Sequence, residues 1–342
     1  MGNTDEQMMR RCIQIAKKGL GTTYPNPMVG CVIVHQGKII TEGWHRKAGE
    51  HHAEVNAIQQ VKDKEILKSS TLYVSLEPCS HQGKTPPCAD LIANLGIPKV
   101  VIGMTDPNAK VNGQGIKKLE EAGLNVKFNV LKEECEELNK RFLCFHQKKR
   151  PYVILKWAKT SDGFMATQSG EQKWITNIYS RQLVHLWRTQ ENAILIGRKT
   201  AVADNPQLNA RLMHGHQPIR LVMDRALKLD KQLHLFDQKQ PTLVFTEKEK
   251  DDLHNLKFIT TNFDENPAEA ILSKCHENDL QSVIIEGGRQ TLQTFLQAGL
   301  WDEARIFTSP ALWGEGIRSP EINGKIIDRK DIAGDHLEII RR

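Results

Sequence analysis

No run of about 18 apolar residues occurs in this chain of 342, so no transmembrane helix is expected. The first residues, Met-Gly-Asn-Thr-Asp-Glu, contain no apolar segment of a signal peptide, and Glu6 breaks the myristoylation pattern. Aromatic residues are scarce at 6%, and no basic patch rises above background, which argues against a groove that stacks nucleic-acid bases. Charge of either sign is nearly balanced, 47 basic against 41 acidic residues for a net +6. That small excess suits an anionic small substrate as well as nucleic acid and does not choose between them. Cysteine is limited to seven residues, an odd number that fits no closed disulfide framework and points to a reducing cytoplasm. Length alone predicts two domains.

The informative stretch runs from Gly43 to Cys88 and contains Gly43-Trp44-His45, His52-Ala53-Glu54 and Glu77-Pro78-Cys79 before Cys88. One imidazole and two thiolates suit Zn²⁺, and three protein ligands leave a fourth position for water. Zinc brings the pKa of such a water toward neutrality. His52, Cys79 and Cys88 are the candidate ligands, for one zinc per chain. Glu54, two residues after His52, is the candidate general acid–base: it can move a proton without ligating the metal. Two plainer readings compete, buried free thiols beside surface histidines and a closed structural site. The second would need another Cys or His at close spacing, and His81 is the nearby candidate. The order His-x-Glu, then Pro-Cys, then a further Cys favours the zinc-deaminase signature.

The usual Cys-x-x-Cys is here stretched to eight intervening residues, Ser80 to Pro87. With Pro25-Asn26-Pro27-Met28-Val29-Gly30 upstream, that stretch resembles the deaminase half of the bifunctional riboflavin-biosynthesis family. Its members join a diaminohydroxyphosphoribosylaminopyrimidine deaminase to a 5-amino-6-(5-phosphoribosylamino)uracil reductase. The resemblance implies that Asn26 holds the pyrimidine and that His45 and Lys84 touch substrate. Read without it, Asn26 is a turn residue, and His45 and Lys84 are surface residues of loops.

Periodicity places these motifs. Thr4 and Gln7 form a capping box ahead of a helix that ends at Gly19 and Gly21. Val29 to Val34 and Ile39-Ile40 read as a hairpin, and Thr71 to Leu76 as a buried strand that delivers Cys79. His52 and Cys88 each open a helix, where the helix dipole favours a thiolate. Strand, helix and strand follow at 100–103, 113–122 and 126–128, and one helix is expected over 133–145. The order predicts a cytidine-deaminase-like three-layer α/β domain. A charged run ending in Pro151 marks the boundary, giving domains 1–147 and 148–342.

In the second half, strands alternate with helices, which predicts a mostly parallel sheet. Ile284-Ile285-Glu286-Gly287-Gly288-Arg289 reads as strand, turn and helix start, a cradle for phosphate or a simple tight connection. It is not Gly-x-Gly-x-x-Gly, so no Rossmann site is inferred. Lys156-Trp157-Ala158, Trp174-Ile175-Thr176, Thr200, Asp204-Asn205-Pro206 and Glu286-Gly287-Gly288 resemble the reductase half of the same family. This implies a dihydrofolate-reductase-like α/β domain that uses NADPH. By position, Ala158, Trp174, Thr200, Asp204, Gly288, Arg289, Gln290, Thr291 and Leu292 would touch the cofactor. Gln172, Arg188, Leu208, Arg211 and Glu286 would touch substrate, and Lys156 the sugar. A guanidinium fork suits a ribose phosphate, which singles out Arg188 and Arg211. Their plainer role is a surface salt bridge, and that of Trp174 is core packing. Family members often carry Ser where this chain has Gln172.

The resulting expectation is a cytoplasmic bifunctional enzyme of riboflavin biosynthesis. It would remove an amine from 2,5-diamino-6-(5-phosphoribosylamino)pyrimidin-4-one and then reduce the ribosyl side chain to ribityl. A homo-oligomer, dimer or tetramer, is expected, with no nucleic-acid or membrane partner. The rivals are a nucleic-acid base deaminase with an accessory domain and a deaminase whose C-terminal domain only senses a ligand.

Overall fold

Apolar side chains alternate along the strands, and that alternation builds a two-sided core in each half of the chain. The computed structural model describes residues 4–80, 86–107, 112–168 and 173–342. It divides into two compact units, Met1–Lys148 and Lys149–Arg342.

The first unit runs α1 (Thr4–Ala16), β1 (Gly30–His35), β2 (Lys38–Trp44), α2 (Ala53–Gln59), β3 (Ser70–Val74), α3 (Cys88–Asn94), β4 (Lys99–Ile102), α4 (Gln114–Glu121), β5 (Asn125–Lys127), α5 (Lys132–Leu138) and α6 (Lys140–Lys148). Its five strands are ordered β2-β1-β3-β4-β5. The β1–β2 and β1–β3 pairs are antiparallel, whereas β3–β4 and β4–β5 are parallel. Cys31, Ile33, Leu72, Val74, Val100 and Ile102 face α2, α3 and α4. Their strand neighbours Val32, Val34, Tyr73 and Val101 face α1 and α5 instead. Period-two alternation thus sandwiches the sheet between helices.

The expected single helix over 133–145 is two helices broken at Asn139. The buried Asn139 side chain is drawn away to the backbone of Met28. Its Oδ1 accepts from Met28 N–H at 2.9 Å, and its Nδ2 donates to Met28 C=O at 3.0 Å. An Asn engaged in this way breaks the helical repeat and anchors the Pro25–Met28 loop.

The second unit contains β6 (Tyr152–Thr160), β7 (Phe164–Ala166), α7 (Ile178–Gln190), β8 (Ala193–Gly197), α8 (Arg198–Asp204), β9 (Ile219–Met223), β10 (Thr242–Thr246), β11 (Leu256–Thr260), α9 (Pro267–Glu277), β12 (Ser282–Ile285), α10 (Arg289–Gln297), β13 (Glu303–Ser309), β14 (Ile317–Arg318), β15 (Lys325–Ile332) and β16 (Asp335–Arg341). The nine-stranded sheet is ordered β11-β10-β9-β8-β12-β6-β13-β16-β15. Strands β11 through β13 in that order are parallel, and β16 and β15 add an antiparallel margin. Val153, Leu155, Leu195, Val283 and Ile285 pack against α9 and α10. Ile194, Ile196, Val222 and Val244 pack on the other face against Ala201 of α8. The Asn266 side chain caps α9 by accepting from Glu269 N–H, with Pro267 in the first turn, as the sequence predicts.

Candidate active sites

In the first unit, three chain segments bring His52, Cys79 and Cys88 together. His52 is the N-cap of α2 and Cys88 the first residue of α3, while Cys79 lies on the loop after β3. Gly43 makes this possible on the α2 side. A Cβ there would lie 2.3 Å from Ala53 O and 2.4 Å from Ala57 N, so only glycine lets β2 lie this close to the helix. His52 Nδ1 is 3.5 Å from Cys79 Sγ and 3.4 Å from Cys88 Sγ. The three donor atoms all lie within 4.8 Å of one another. Zinc–nitrogen bonds of about 2.0 Å and zinc–sulfur bonds of about 2.3 Å at tetrahedral angles set N and S about 3.5 Å apart. The donor set therefore fits zinc in spacing as well as chemistry.

Electrostatics favour the deprotonated donor. Cys79 accepts a hydrogen bond from the Cys88 side chain, and also from the Cys88 backbone N–H at 3.3 Å, and its pKa falls to about 4. The Cys88 thiol is raised by that same contact and by burial, so the pair holds one thiolate readily. Glu54 is 3% exposed in the first turn of α2. Burial pushes its pKa up to about 7, and its side chain reaches the Cys88 thiol. A buried carboxyl whose pKa lies near neutrality is suited to carrying a proton.

The residues flanking this centre form a neutral polar wall. His45 is buried, and its Nδ1–H donates to His51 C=O at 3.1 Å. Its Nε2 then accepts from Asn26 Nδ2 at 3.0 Å. Burial lowers the His45 pKa, which agrees with this neutral tautomer. The two residues expected to meet the pyrimidine are thus joined to each other, and the His45 ring stands edge-on to His52 at 5.5 Å. Lys84 lies outside the described residues.

Sequence reading missed Glu77. This buried carboxylate accepts from the backbone N–H groups of Asp106 at 3.1 Å, Gly113 at 3.0 Å, Gly115 at 2.8 Å and Ile116 at 3.3 Å. It ties the Pro78-Cys79 loop to the start of α4. Glu77→Gln turns an amide NH₂ toward some of those donors and is expected to cost roughly 2–3 kcal/mol. Thermal unfolding should move down and zinc should be held less tightly, both measurable on the purified variant. An unchanged midpoint with full zinc content would refute this positioning role.

In the second unit, the candidate residues gather at the carboxyl ends of β6, β8 and β12, where parallel sheets bind ligands. Ile285 pairs with Leu155 on one side and Leu195 on the other, so Glu286 follows in the row of Lys156. Arg188 of α7 grips Glu286 with Nε–Oε1 at 3.2 Å and Nη2–Oε2 at 2.8 Å, and gives Nη1 to Asn209 C=O at 2.9 Å. Both side chains are mostly buried, so this is no surface salt bridge. Burial alone would raise the Glu286 pKa, but Arg188 and Lys156 overcome it and bring it down to about 2. Burial in turn lowers the Lys156 pKa, against the opposing pull of the Glu286 charge.

A depressed carboxylate pKa stabilises the fold above the ordinary value of 4.5, and that contribution is lost as pH falls toward 2. Glu286→Gln should therefore remove roughly 3 kcal/mol of pH-dependent stability across that window. Denaturant midpoints of wild type and variant, measured through the window, should converge at low pH. Parallel curves would contradict the ion pair's contribution.

The residues assigned to the cofactor fall into two groups. A Cβ on Gly288, where φ is +65°, would lie 2.8 Å from Thr200 Oγ1, and one on Gly197 would lie 2.2 Å from Thr291 Oγ1. These close approaches bring the start of α8 against the start of α10. Gly288 is the α10 N-cap and supplies no side-chain cap, so first-turn N–H groups remain for a phosphate. Arg289 and Gln290 are exposed there, whereas Thr291 and Leu292 are buried. Leu292 belongs to the core and Leu208 does too, so either can meet a ligand only through backbone. Ala158 is half-buried on β6, Asp204 is exposed at the end of α8, and Trp174 is 61% exposed, which excludes core packing for it. Gln172 lies outside the described residues.

Fold and sites define the class: a deaminase-type domain with a site fitted to zinc, followed by a parallel-sheet reductase-type domain. The cytidine and deoxycytidylate deaminase zinc-binding region matches residues 2–104, and the RibD C-terminal domain matches residues 151–328. The riboflavin biosynthesis protein RibD of Aquifex aeolicus is 39% identical over 332 residues, covering 95% of this chain and 92% of that protein. The RibD of Escherichia coli is 36% identical, covering 92% and 90%. The crystal structure of a Thermotoga maritima diaminohydroxyphosphoribosylaminopyrimidine deaminase/5-amino-6-(5-phosphoribosylamino)uracil reductase matches this chain with TM-score 0.90 at 38% identity, covering 99% of this chain and 98% of that one. Acinetobacter baumannii RibD superposes with TM-score 0.91 at 34% identity, covering 99% and 98%. The chain belongs to the RibD family of riboflavin biosynthesis proteins.

Proposed function

We propose that this chain catalyses two successive steps of riboflavin biosynthesis, deamination of a phosphoribosylated diaminopyrimidine and NADPH-dependent reduction of its ribosyl side chain. The observation that carries the reading is the convergence of His52, Cys79 and Cys88 beside buried Glu54, in a chain similar along almost its whole length to RibD proteins.

In the deaminase unit, His52, Cys79 and Cys88 would hold zinc, which supplies a polarised water of near-neutral pKa. Asn26 and His45 orient the pyrimidine edge through their fixed hydrogen bond. Glu54 accepts the proton from the attacking water and returns it to the departing amine, which leaves as ammonia. Lys84 is assigned to substrate by the family pattern.

In the reductase unit, NADPH supplies the hydride. Thr200, Gly288, Arg289, Gln290, Thr291 and Leu292 would hold it at the start of α10, with Ala158, Trp174 and Asp204 around it. Lys156 and Glu286 face the sugar, with Gln172, Leu208, Arg188 and Arg211 completing the substrate contacts. Domains 1–147 and 148–342 are the units to which the two activities are assigned. Among the described residues, no helix is long and apolar enough to cross a membrane. We place the enzyme in the cytoplasm as a homo-oligomer that does not bind nucleic acid.

Purified chain supplied with the deaminated substrate and NADPH tests the reductase half. NADPH oxidation is expected. Its absence, with deamination intact, would favour a ligand-sensing second unit.

A further inference from the structure

Asn139 touches neither metal donors nor Glu54, yet its side chain is tied to the strip that carries a candidate pyrimidine contact. It is 2% exposed and lies between α5 and α6. Both helices fix its backbone. Its N–H donates to Cys135 C=O at 3.2 Å and to Glu136 C=O at 3.1 Å, and its C=O accepts from Leu143 N–H at 2.9 Å. The carboxamide therefore departs from a rigid point. It takes both backbone polar groups of Met28, accepting from the N–H at 2.9 Å and donating to the C=O at 3.0 Å.

From Met28 the contacts run straight to the deaminase site. Val29, the next residue, accepts at its C=O from His45 N–H at 2.9 Å. Asn26, two residues before Met28, donates from Nδ2 to His45 Nε2 at 3.0 Å. The His45 ring goes on to the C=O of His51 at 3.1 Å, and His51 directly precedes the zinc-ligand candidate His52. Residues 20–29 belong to no helix or strand, so no regular ladder holds them. Asn139 pins the middle of the strip 26–29, from which Asn26 and Val29 both reach His45. An amide suits this task, because it offers an acceptor and a donor at once, whereas an ionised carboxylate offers acceptors only.

We propose that Asn139 is a positioning residue for deamination: it fixes the Met28 backbone so that Asn26 and His45 meet the pyrimidine in one orientation. This rests on the deaminase reading above, in which those two residues hold the substrate. Without the carboxamide, two buried backbone groups lose their partner and the strip is free to shift. A displacement of about 1 Å at a substrate contact is enough to cost up to about a hundredfold.

The test measures ammonia release from the undeaminated substrate, together with zinc content, in the full chain carrying Asn139→Ala or Asn139→Asp. Asn139→Ala should lower kcat/KM about ten- to hundredfold, mainly through KM, with zinc at the wild-type level. In an Asn26→Ala background the same substitution should cost no more than about threefold, because the contact it supports is already gone. Should Asn139→Ala fail to fold, Asn139→Asp, which keeps the acceptor for Met28 N–H, carries the same comparison. A loss of equal size in both backgrounds, a fall in kcat that tracks lost zinc at unchanged KM, or no loss at all would overturn the proposal. A zinc-loaded wild type that releases no ammonia would overturn the deaminase reading itself, and this proposal with it.

Discussion

Glu54→Gln is expected to lower deamination by about a hundred- to ten-thousandfold, the range supplied by a positioned general acid–base. The substitution keeps the side chain's size, so the packing of a residue 3% exposed in α2 is preserved. What it removes is the capacity to accept and return a proton. Glu54 is not one of the three donors facing each other, so zinc content should stay at the wild-type level. Reduction of supplied deaminated substrate should also stay, because the residues assigned to it lie in the other unit. Ammonia release, metal analysis and NADPH oxidation on one preparation separate these outcomes. Substantial residual deamination, or loss of zinc, would contradict the role assigned to Glu54.

Cys79→Ser and Cys88→Ser should each reduce zinc from about one per chain to a small fraction and abolish deamination. A serine hydroxyl stays protonated at neutral pH and is a poor ligand for a soft site. Cys79 should be the more sensitive position, since its sulfur also accepts the Cys88 backbone N–H at 3.3 Å and is the readier thiolate. Wild type treated with a strong chelator should unfold at lower temperature, and the Ser variants should show little chelator effect. Zinc retained at full occupancy in either variant would refute the assigned ligand set.

The deaminase site was legible because each of its parts is short and local. His-x-Glu and Pro-Cys fix two pieces, and helix starts at Ala53 and Cys88 set the geometry. Glu77 was not legible as a positioning group, because its partners at 106, 113, 115 and 116 come near only in the folded loops. The break at Asn139 escaped for a similar reason: helical periodicity continues through it, and its competing partner, Met28, is far away in sequence. In the reductase unit, sequence reading gave no strand for β7, β11, β13, β14, β15 or β16. Strand β15 is charged and mostly exposed at a sheet edge, so it shows little alternation.

The central claim is that one chain performs both steps in order. Incubating the purified protein with the undeaminated substrate and NADPH, while following ammonia and NADPH together, tests it most directly. The account predicts that ammonia appears first, NADPH consumption follows after a lag, and the two reach equal amounts. NADPH consumed without ammonia release, or ammonia released while NADPH stays untouched, would contradict it.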